Sequence, residues 1–261
     1  MPTAIICSSD PFESMTWTNV LLRDIVQRRS EAQMPDRHRR HGGVALIICD
    51  ALRDYTSYRF TNRVCRIIAR LRSLNFDPYY DIIPAMIFWP DDVNLPRVRT
   101  LRCQRVTADL IQRACVVVVC GGNVHALLQS FAVVDALLVQ LRSVLQDNLC
   151  LLLAWSAGST ASGPSAEHTK DRYNQLQLRT RRPRITRGLN LIPYYSFAPH
   201  VRRARVDNWL RWWRRQHRQF YDGFLVTLPD GTFVVFRQSD HPIDWNSEDI
   251  GWLDTRLEYL N

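Results

Sequence analysis

Short apolar runs recur along the chain, and each one ends at small or polar residues. A short continuous apolar run is typical of a strand that is buried on both faces of a parallel sheet. The pattern predicts such strands at residues 3–7, 44–49, 81–89 and 115–120, and in the run that ends at Trp155. Apolar positions at helical spacing predict helices at residues 17–29, 58–74, 106–114 and 126–145. This alternation predicts an α/β fold with a mostly parallel sheet and helices on both sides.

The C-terminal third of the chain is less regular. Residues 189–197 are strand-like, residues 207–220 predict a helix rich in Trp and Arg, and residues 224–236 predict a β-hairpin around a Pro-Asp-Gly turn. Residues 8–11 predict a turn, and the polar residues 30–43 and 164–187 predict exposed loops. The 261 residues suit one hydrophobic core and show no internal repeat, so we expect a single domain.

The apolar run that ends at Trp155 is followed by Ser156 and then by small residues up to Gly163. Strand, sharp turn, serine and small residues together are typical of a nucleophile elbow. The alternative is an ordinary strand-to-helix turn in which the serine is the N-cap. The preceding predicted strand ends at the glycine pair of residues 121–122. Because carboxyl ends of parallel strands meet at one edge of a sheet, we expect this pair close to Ser156.

A serine nucleophile needs a base, and the base needs a carboxylate that holds its tautomer. Of the seven histidines, His200 stands out because it follows a strand-like segment and a proline. Its alternative is a capping or surface histidine. Asp230 lies in a Pro-Asp-Gly sequence, which is common in ordinary turns. The backbone N–H groups of Gly122 and Ala157 are candidates for an oxyanion hole, with a plain glycine turn as the alternative.

Composition narrows the choice of compartment and cofactor. The formal charge of +9 rests almost wholly on arginine, which binds carboxylates and phosphates, so it suits an acidic partner without identifying one. The seven cysteines form no Cys-x-x-Cys pair and no cluster with metal-ligand spacing, so we expect reduced thiols and no metal.

The first residues resemble a strand rather than a leader, and polar residues interrupt the apolar region 126–145. We therefore expect a cytoplasmic protein without a membrane span.

Four short motifs follow one another along the chain: Cys-Gly-Gly-Asn at residues 120–123, Trp-Ser-Ala-Gly at 155–158, Pro-His at 199–200 and Leu-Pro-Asp-Gly at 228–231. This series resembles that of the dipeptidase E (α-aspartyl dipeptidase) family of serine peptidases, relatives of cyanophycinase. That family has Gly-Gly-Gly-Asn, Gly-Trp-Ser-Ala-Gly, Asn-Pro-His and Leu-Pro-Glu-Gly in the same order. The resemblance implies a three-layer αβα sandwich like that of class I glutamine amidotransferases.

The resemblance also implies roles for individual residues. Ser156 would be the nucleophile, His200 the general base and Asp230 the third member, where the family usually has Glu. The amides of Gly122 and Ala157 would form the oxyanion hole. The residues implied for substrate contact are Asn123, Arg202 and Arg205. The chain departs from the family at Ala154 and Ala198, which replace the glycine before Trp and the asparagine before Pro-His.

The leading hypothesis is a serine peptidase-like hydrolase without a cofactor, acting on small peptides, including dipeptides with an acidic N-terminal residue. The alternative is a member of the same fold that has lost catalysis. It would bind nucleic acid or an acidic protein through the arginines of residues 179–187 and the Trp/Arg helix of residues 207–220. A cysteine amidotransferase on a related sheet ranks last, because Ser156 stands where that chemistry needs cysteine.

Overall fold

The computed structural model describes residues 2–13, 24, 27, 43–52, 57–74, 76, 81–88, 97–98, 101–166, 187–201, 224–238 and 245–249. The strands are β1 (Pro2–Cys7), β2 (Val44–Ile48), β3 (Ile82–Met86), β4 (Arg97–Val98), β5 (Leu101–Arg102), β6 (Gln104–Arg105), β7 (Ala114–Val119), β8 (Leu151–Trp155), β9 (Tyr195–Pro199), β10 (Phe224–Leu228), β11 (Phe233–Gln238) and β12 (Trp245–Asp249). The helices are α1 (Tyr58–Arg72), α2 (Ala108–Arg113), α3 (Val124–Val133), α4 (Asp135–Gln146) and α5 (Ala157–Ser162).

Within the described ranges, eight strands form one sheet in the order β12-β11-β1-β8-β7-β2-β3-β6. In the part of the sheet that runs β1-β8-β7-β2-β3-β6, every pair of neighbouring strands is parallel. Strand β11 is antiparallel to both of its neighbours, β1 and β12. The predicted mostly parallel sheet is therefore confirmed. Two small sheets stand apart from it, one made of β9 and β10 and one of β4 and β5.

Successive side chains of the strands belong to two separate buried clusters, one on each face of the sheet. On β1, Ala4 and Ile6 belong to one cluster, and Ile5 and Cys7 to the other. The apolar face of α1 joins the second cluster, while helices α2 to α5 and the β9–β10 pair contribute to the first. Helices thus cover both faces, and the fold is the expected three-layer αβα sandwich.

The predicted C-terminal β-hairpin is wrong in its pairing. A turn does join the two strands, since Thr232 N donates to Pro229 O at 3.1 Å. The strands nevertheless go to different sheets: β10 pairs in parallel with β9, and β11 pairs with β1. Aromatic rings of β9 pack on Phe236 of β11, with Phe197 at a centroid distance of 5.5 Å, so the β9–β10 pair packs against the main sheet.

The single long helix predicted at residues 126–145 is also wrong. It is two helices, α3 and α4, that meet at Val134 with a bend of 102°. The bend lets α4 pack against both α2 and α3. Asp135 in the first turn of α4 favours a helix start, because a negative charge is stabilising near a helix N-terminus.

The strand predicted at residues 189–197 begins only at Tyr195, and several other predicted segments fall on residues that the structure does not describe. Residues 189–194 precede β9 as a loop that hydrogen-bonds to the end of α5, as in the contact of Leu189 N with Ala161 O at 2.6 Å. The helix predicted at residues 17–29 is described only at Asp24 and Gln27, which are both helical. The helix predicted at 207–220 and nearly all of the loops predicted at 30–43 and 164–187 lie outside the described residues.

The helices that the structure describes differ in length and apolar character from a typical membrane span. None of them alone has both the length and the apolar character needed to cross a bilayer. The bent pair α3 and α4 meets the criterion jointly, by length and composition only.

Candidate active site

Ser156 lies in a strained turn between β8 and α5. Its backbone has φ 51° and ψ −112°, in a region that non-glycine residues rarely occupy. The turn is fixed from both sides, because Ser156 N donates to Cys7 O at 3.2 Å and Thr160 N donates to Ser156 O at 3.0 Å. The side chain makes no capping hydrogen bond to α5, which argues against the ordinary N-cap alternative. The geometry is that of a nucleophile elbow.

The small residues after Ser156 let α5 pack tightly against the sheet. A Cβ built on Gly158 would lie 2.3 Å from the carbonyl oxygen of Val119, at the end of β7. The buried hydroxyl of Ser159 donates to Cys7 O at 2.6 Å, which ties the helix to β1 as well. The absence of bulky side chains in this segment therefore has a packing reason and holds the serine at the carboxyl edge of the sheet.

His200 and Asp230 lie next to Ser156, although each comes from a different part of the chain. His200 Nε2 is 2.8 Å from Ser156 Oγ, and its Nδ1 is hydrogen-bonded to Asp230 Oδ1. The parallel register of β9 and β10 pairs Pro199 with Leu228, so the residues that follow each strand emerge side by side. The hydrogen bond from Val201 N to Leu228 O, at 3.3 Å, continues this pairing past His200.

The contacts of His200 define which ring nitrogen carries the proton. An ionised carboxylate only accepts hydrogen bonds, so Asp230 selects the tautomer with the proton on Nδ1. Nε2 is then the acceptor for the hydroxyl proton of Ser156. The His200 side chain is 24% exposed and that of Asp230 is 70% exposed, so the acid lies at the surface while the base is partly covered.

The glycine turn after β7 lies against the elbow. A Cβ built on Gly121 would be 2.9 Å from Ser156 Cβ and 2.7 Å from the indole of Trp155. Gly122 follows with φ 144°, a backbone conformation suited to glycine. Ala157 is the first residue of α5, where an N–H group has no partner within the helix. The structure thus brings the predicted oxyanion residues to the neighbourhood of Ser156.

The residues predicted to contact substrate have different outcomes. Asn123 Oδ1 accepts a hydrogen bond from Ala126 N at 2.9 Å, so this side chain is the N-cap of α3. A substrate contact of Asn123 stays a prediction, and its amide nitrogen is the group left for it. Arg202 and Arg205 lie outside the described residues.

The sequence did not point to Ser9, which the structure brings to the same site. Ser9 Oγ donates to Asp230 Oδ1 at 3.1 Å. The available signal was weak: a polar residue directly after a buried strand lies at the carboxyl edge of a parallel sheet. The pattern of residues 8–11 predicts only a turn and does not single out Ser9.

Buried ionisable groups also lie at this edge of the sheet. Asp50 follows β2, is fully buried, and accepts hydrogen bonds from Ile87 N and Phe88 N at 2.9 and 3.3 Å. Burial raises its pKa above the ordinary aspartate value. A hydrogen bond with Cys120 and burial raise the pKa of the Cys49 thiol. None of the seven cysteines, all of which lie in the described residues, forms a disulfide, and the described residues include no His/Cys/Asp/Glu group suited to a metal ion.

The chain belongs to a family of peptidases, peptidase family S51. The model of that family matches residues 92–243, more than half of the 261 residues, and this range contains all four motifs of the sequence analysis. The family resemblance drawn from those motifs is therefore confirmed. No curated protein matches the chain significantly.

Two solved structures share the fold. A peptidase E protein from Listeria monocytogenes EGD-e has a TM-score of 0.51 and 15% identity, over 91% of this chain and 95% of its own. A peptidase from an acI-B1 Actinobacterium has a TM-score of 0.50 and 16% identity, over 90% of this chain and 82% of its own. At such low identity these likenesses concern the fold alone, and they confirm the αβα sandwich of the glutamine amidotransferase-like class.

Proposed function

We propose that this member of family S51 is an active serine peptidase of small peptides, with Ser156, His200 and Asp230 as its catalytic triad. The observation that carries the proposal is the hydrogen-bonded series from Ser156 Oγ to His200 Nε2, at 2.8 Å, and from His200 Nδ1 to Asp230. Nucleophile, base and orienting acid are within hydrogen-bond reach in the order that acyl transfer requires.

In the first half of the reaction, Ser156 Oγ attacks the carbonyl carbon of the scissile peptide bond. His200 Nε2 takes the hydroxyl proton as the new C–O bond forms. The carbonyl oxygen becomes an oxyanion, and the N–H groups of Gly122 and Ala157 are the donors proposed to stabilise it. The C–N bond then breaks, and the leaving amine takes the proton from His200 Nε2, which leaves an acyl ester on Ser156.

In the second half, a water molecule takes the place of the amine. His200 Nε2 accepts a proton from the water as its oxygen attacks the ester carbonyl, and the same amides stabilise the second oxyanion. Collapse of this intermediate breaks the bond to Ser156 Oγ, which regains its proton from His200. The peptide acid leaves and the triad returns to its starting state.

The replacement of the family's usual Glu by Asp230 is compatible with this mechanism. The shorter acid would fail if it could not reach the imidazole, and the lost orientation would slow the reaction by up to about four orders of magnitude. The hydrogen bond between Asp230 and His200 Nδ1 supports an acid that reaches its partner. The shorter side chain therefore gives no reason to assign the chain to a lapsed enzyme.

For the substrate, we propose small peptides, including dipeptides with an acidic N-terminal residue. The support is the family membership and the arginine-rich charge of +9, which suits a carboxylate-bearing substrate. The seven cysteines, none of which forms a disulfide, support a reducing compartment such as the cytoplasm.

The decisive experiment is reaction of the purified protein with a fluorophosphonate probe, followed by location of the labelled residue by mass spectrometry. We expect label on Ser156, none on Ser156→Ala, and full labelling of Ser143→Ala, which changes an exposed serine on α4. Hydrolysis of Asp-containing dipeptides should be lost in Ser156→Ala and retained in Ser143→Ala. A Ser156→Ala protein as active as the parent would falsify the proposal.

A further inference from the structure

Ser9 contacts the acid of the triad from the far end of the sequence. Its Oγ donates to Asp230 Oδ1 at 3.1 Å, and the same oxygen accepts the hydrogen bond from His200 Nδ1. Ser9 Oγ also lies 3.4 Å from Gly231 N, which donates to it. The hydroxyl therefore binds both the carboxylate and the backbone of the turn that carries it.

The acid needs such a support because of where it lies. Asp230 is on a turn beyond the end of β10, and its side chain is 70% exposed. An exposed carboxylate on a turn can rotate toward water, and each such rotation would release the imidazole. A second hydrogen bond that acts on the same oxygen selects the rotamer that faces His200.

The neighbouring serine holds the turn itself. Ser8 N donates to Thr232 O at 2.9 Å, and Thr232 N donates to Ser8 Oγ at 3.3 Å. These bonds extend the antiparallel pairing of β1 and β11, which ends at Cys7 and Phe233. Continued past Cys7, the register of that pairing places Ser9 beside Gly231, and its hydroxyl then reaches the side chain of the preceding residue, Asp230.

The hydroxyl protons can be assigned so that the chain of bonds is consistent. Ser9 has one hydroxyl proton, and an ionised carboxylate can only accept, so that proton goes to Asp230. The 3.3 Å contact between the two serine hydroxyls is then a donation from Ser8 to Ser9. Hydrogen bonds connected in this way polarise one another, which strengthens the last bond to the acid.

We propose that Ser9 is a positioning residue of the triad: its hydroxyl fixes Asp230 Oδ1 against His200 Nδ1 and so holds the imidazole in the orientation that accepts the Ser156 proton. The inference rests on the proposed function. Ser9 touches neither substrate nor Ser156 in this scheme and acts only through the acid. One hydrogen bond to a charged group supports a loss of about 10- to 100-fold in rate when it is removed.

The test compares Ser9→Ala, Ser9→Thr and Asp230→Ala, alone and combined. We expect Ser9→Ala to slow fluorophosphonate labelling of Ser156 by about 10- to 100-fold, with KM for dipeptides unchanged. Ser9→Thr keeps the hydroxyl and should restore most of the rate. In the Asp230→Ala background, Ser9→Ala should have no further effect. An equal loss in both backgrounds, or parental labelling by Ser9→Ala, overturns the inference.

A second measurement separates this inference from the proposed function. The Nδ1 proton of His200, bonded to a carboxylate, should give a downfield proton NMR resonance that is absent in His200→Gln. We expect Ser9→Ala to lose or broaden this resonance and Ser9→Thr to retain it. If the parent shows the resonance but never labels or hydrolyses, the proposed function fails while the Ser9 contact is still decided. An unchanged resonance in Ser9→Ala overturns the role of Ser9.

Discussion

Gly122 lies directly against the carbonyl oxygen of Ala51: a Cβ built on the glycine would be 2.2 Å from that oxygen. The next residue reinforces the contact, because Asn123 N donates to the same oxygen at 2.7 Å. The turn that carries a proposed oxyanion donor is thus held by the segment that follows β2. Its position beside Ser156 depends on the absence of a side chain at this point.

We therefore expect Gly122→Ala to lower the free energy of unfolding by more than the strain of its positive φ alone would. Gly231 is a matched control, since it also has a positive φ, of 80°, but has no atom within 4 Å of a built Cβ. Gly231→Ala should lower the free energy of unfolding by about 1 kcal/mol, from backbone strain only. Gly122→Ala should lower it by clearly more and should slow labelling of Ser156. Urea denaturation of both variants checks this, and equal losses would contradict the role of the Ala51 contact.

The cap of α3 offers a separate prediction. Asn123→Ala should lower the free energy of unfolding by about 1 kcal/mol, because Ala126 N loses its acceptor, and Asn123→Ser should recover most of that loss. Thermal and urea denaturation measure both effects. The serine variant caps the helix but lacks the amide nitrogen. A raised KM in Asn123→Ser would support the predicted substrate contact, and an unchanged KM would contradict it.

Local sequence was enough for the parts of this fold that local physics determines. The buried strands are continuous apolar runs, and the elbow at Ser156 is marked by the small residues that its packing requires. The prediction of one long helix at residues 126–145 was wrong because no proline or glycine marks the break at Val134. The bend accompanies the packing of α4 against α2 and α3, which a local pattern does not reveal.

A local sequence pattern cannot predict which distant strands pair with each other. Pro-Asp-Gly is a strong turn signal, and the turn exists, but it cannot reveal that β10 pairs with β9 and β11 with β1. For the same reason, the local sequence does not indicate the role of Ser9. Its contact with Asp230 depends on the register between the first strand and one of the last, and no nearby residue encodes that register.

Thiol reactivity should single out one cysteine. Cys65, on α1, is partly exposed, whereas the other six cysteines are buried. Burial raises the pKa of the Cys7 and Cys103 thiols, and thiolate is the reactive form. We expect iodoacetamide to modify Cys65 first in the native protein and all seven in urea. Mass spectrometry of timed samples checks this, with Cys65→Ser as the control. Rapid modification of any buried cysteine under native conditions would contradict the packing described above.

Asp50 should make stability depend on pH in a direction opposite to that of most carboxylates. Burial raises its pKa above the ordinary value of 3.8, so just above that value the folded protein keeps a proton that the unfolded chain releases. The free energy of unfolding therefore falls as pH rises through this window. Asp50→Asn cannot titrate and should lack this contribution, although the replacement itself disturbs the bonds to Ile87 N and Phe88 N.

The measurement is urea denaturation of the parent and of Asp50→Asn between about pH 4 and about pH 8. Burial also raises the pKa of Asp10, but that contribution is present in both proteins and cancels in their difference. We expect the stability advantage of the parent over Asp50→Asn to be largest at the acidic end and to shrink as pH rises. An advantage that grows with pH would mean that Asp50 is held as a stabilised carboxylate, with its hydrogen bonds outweighing the cost of burial.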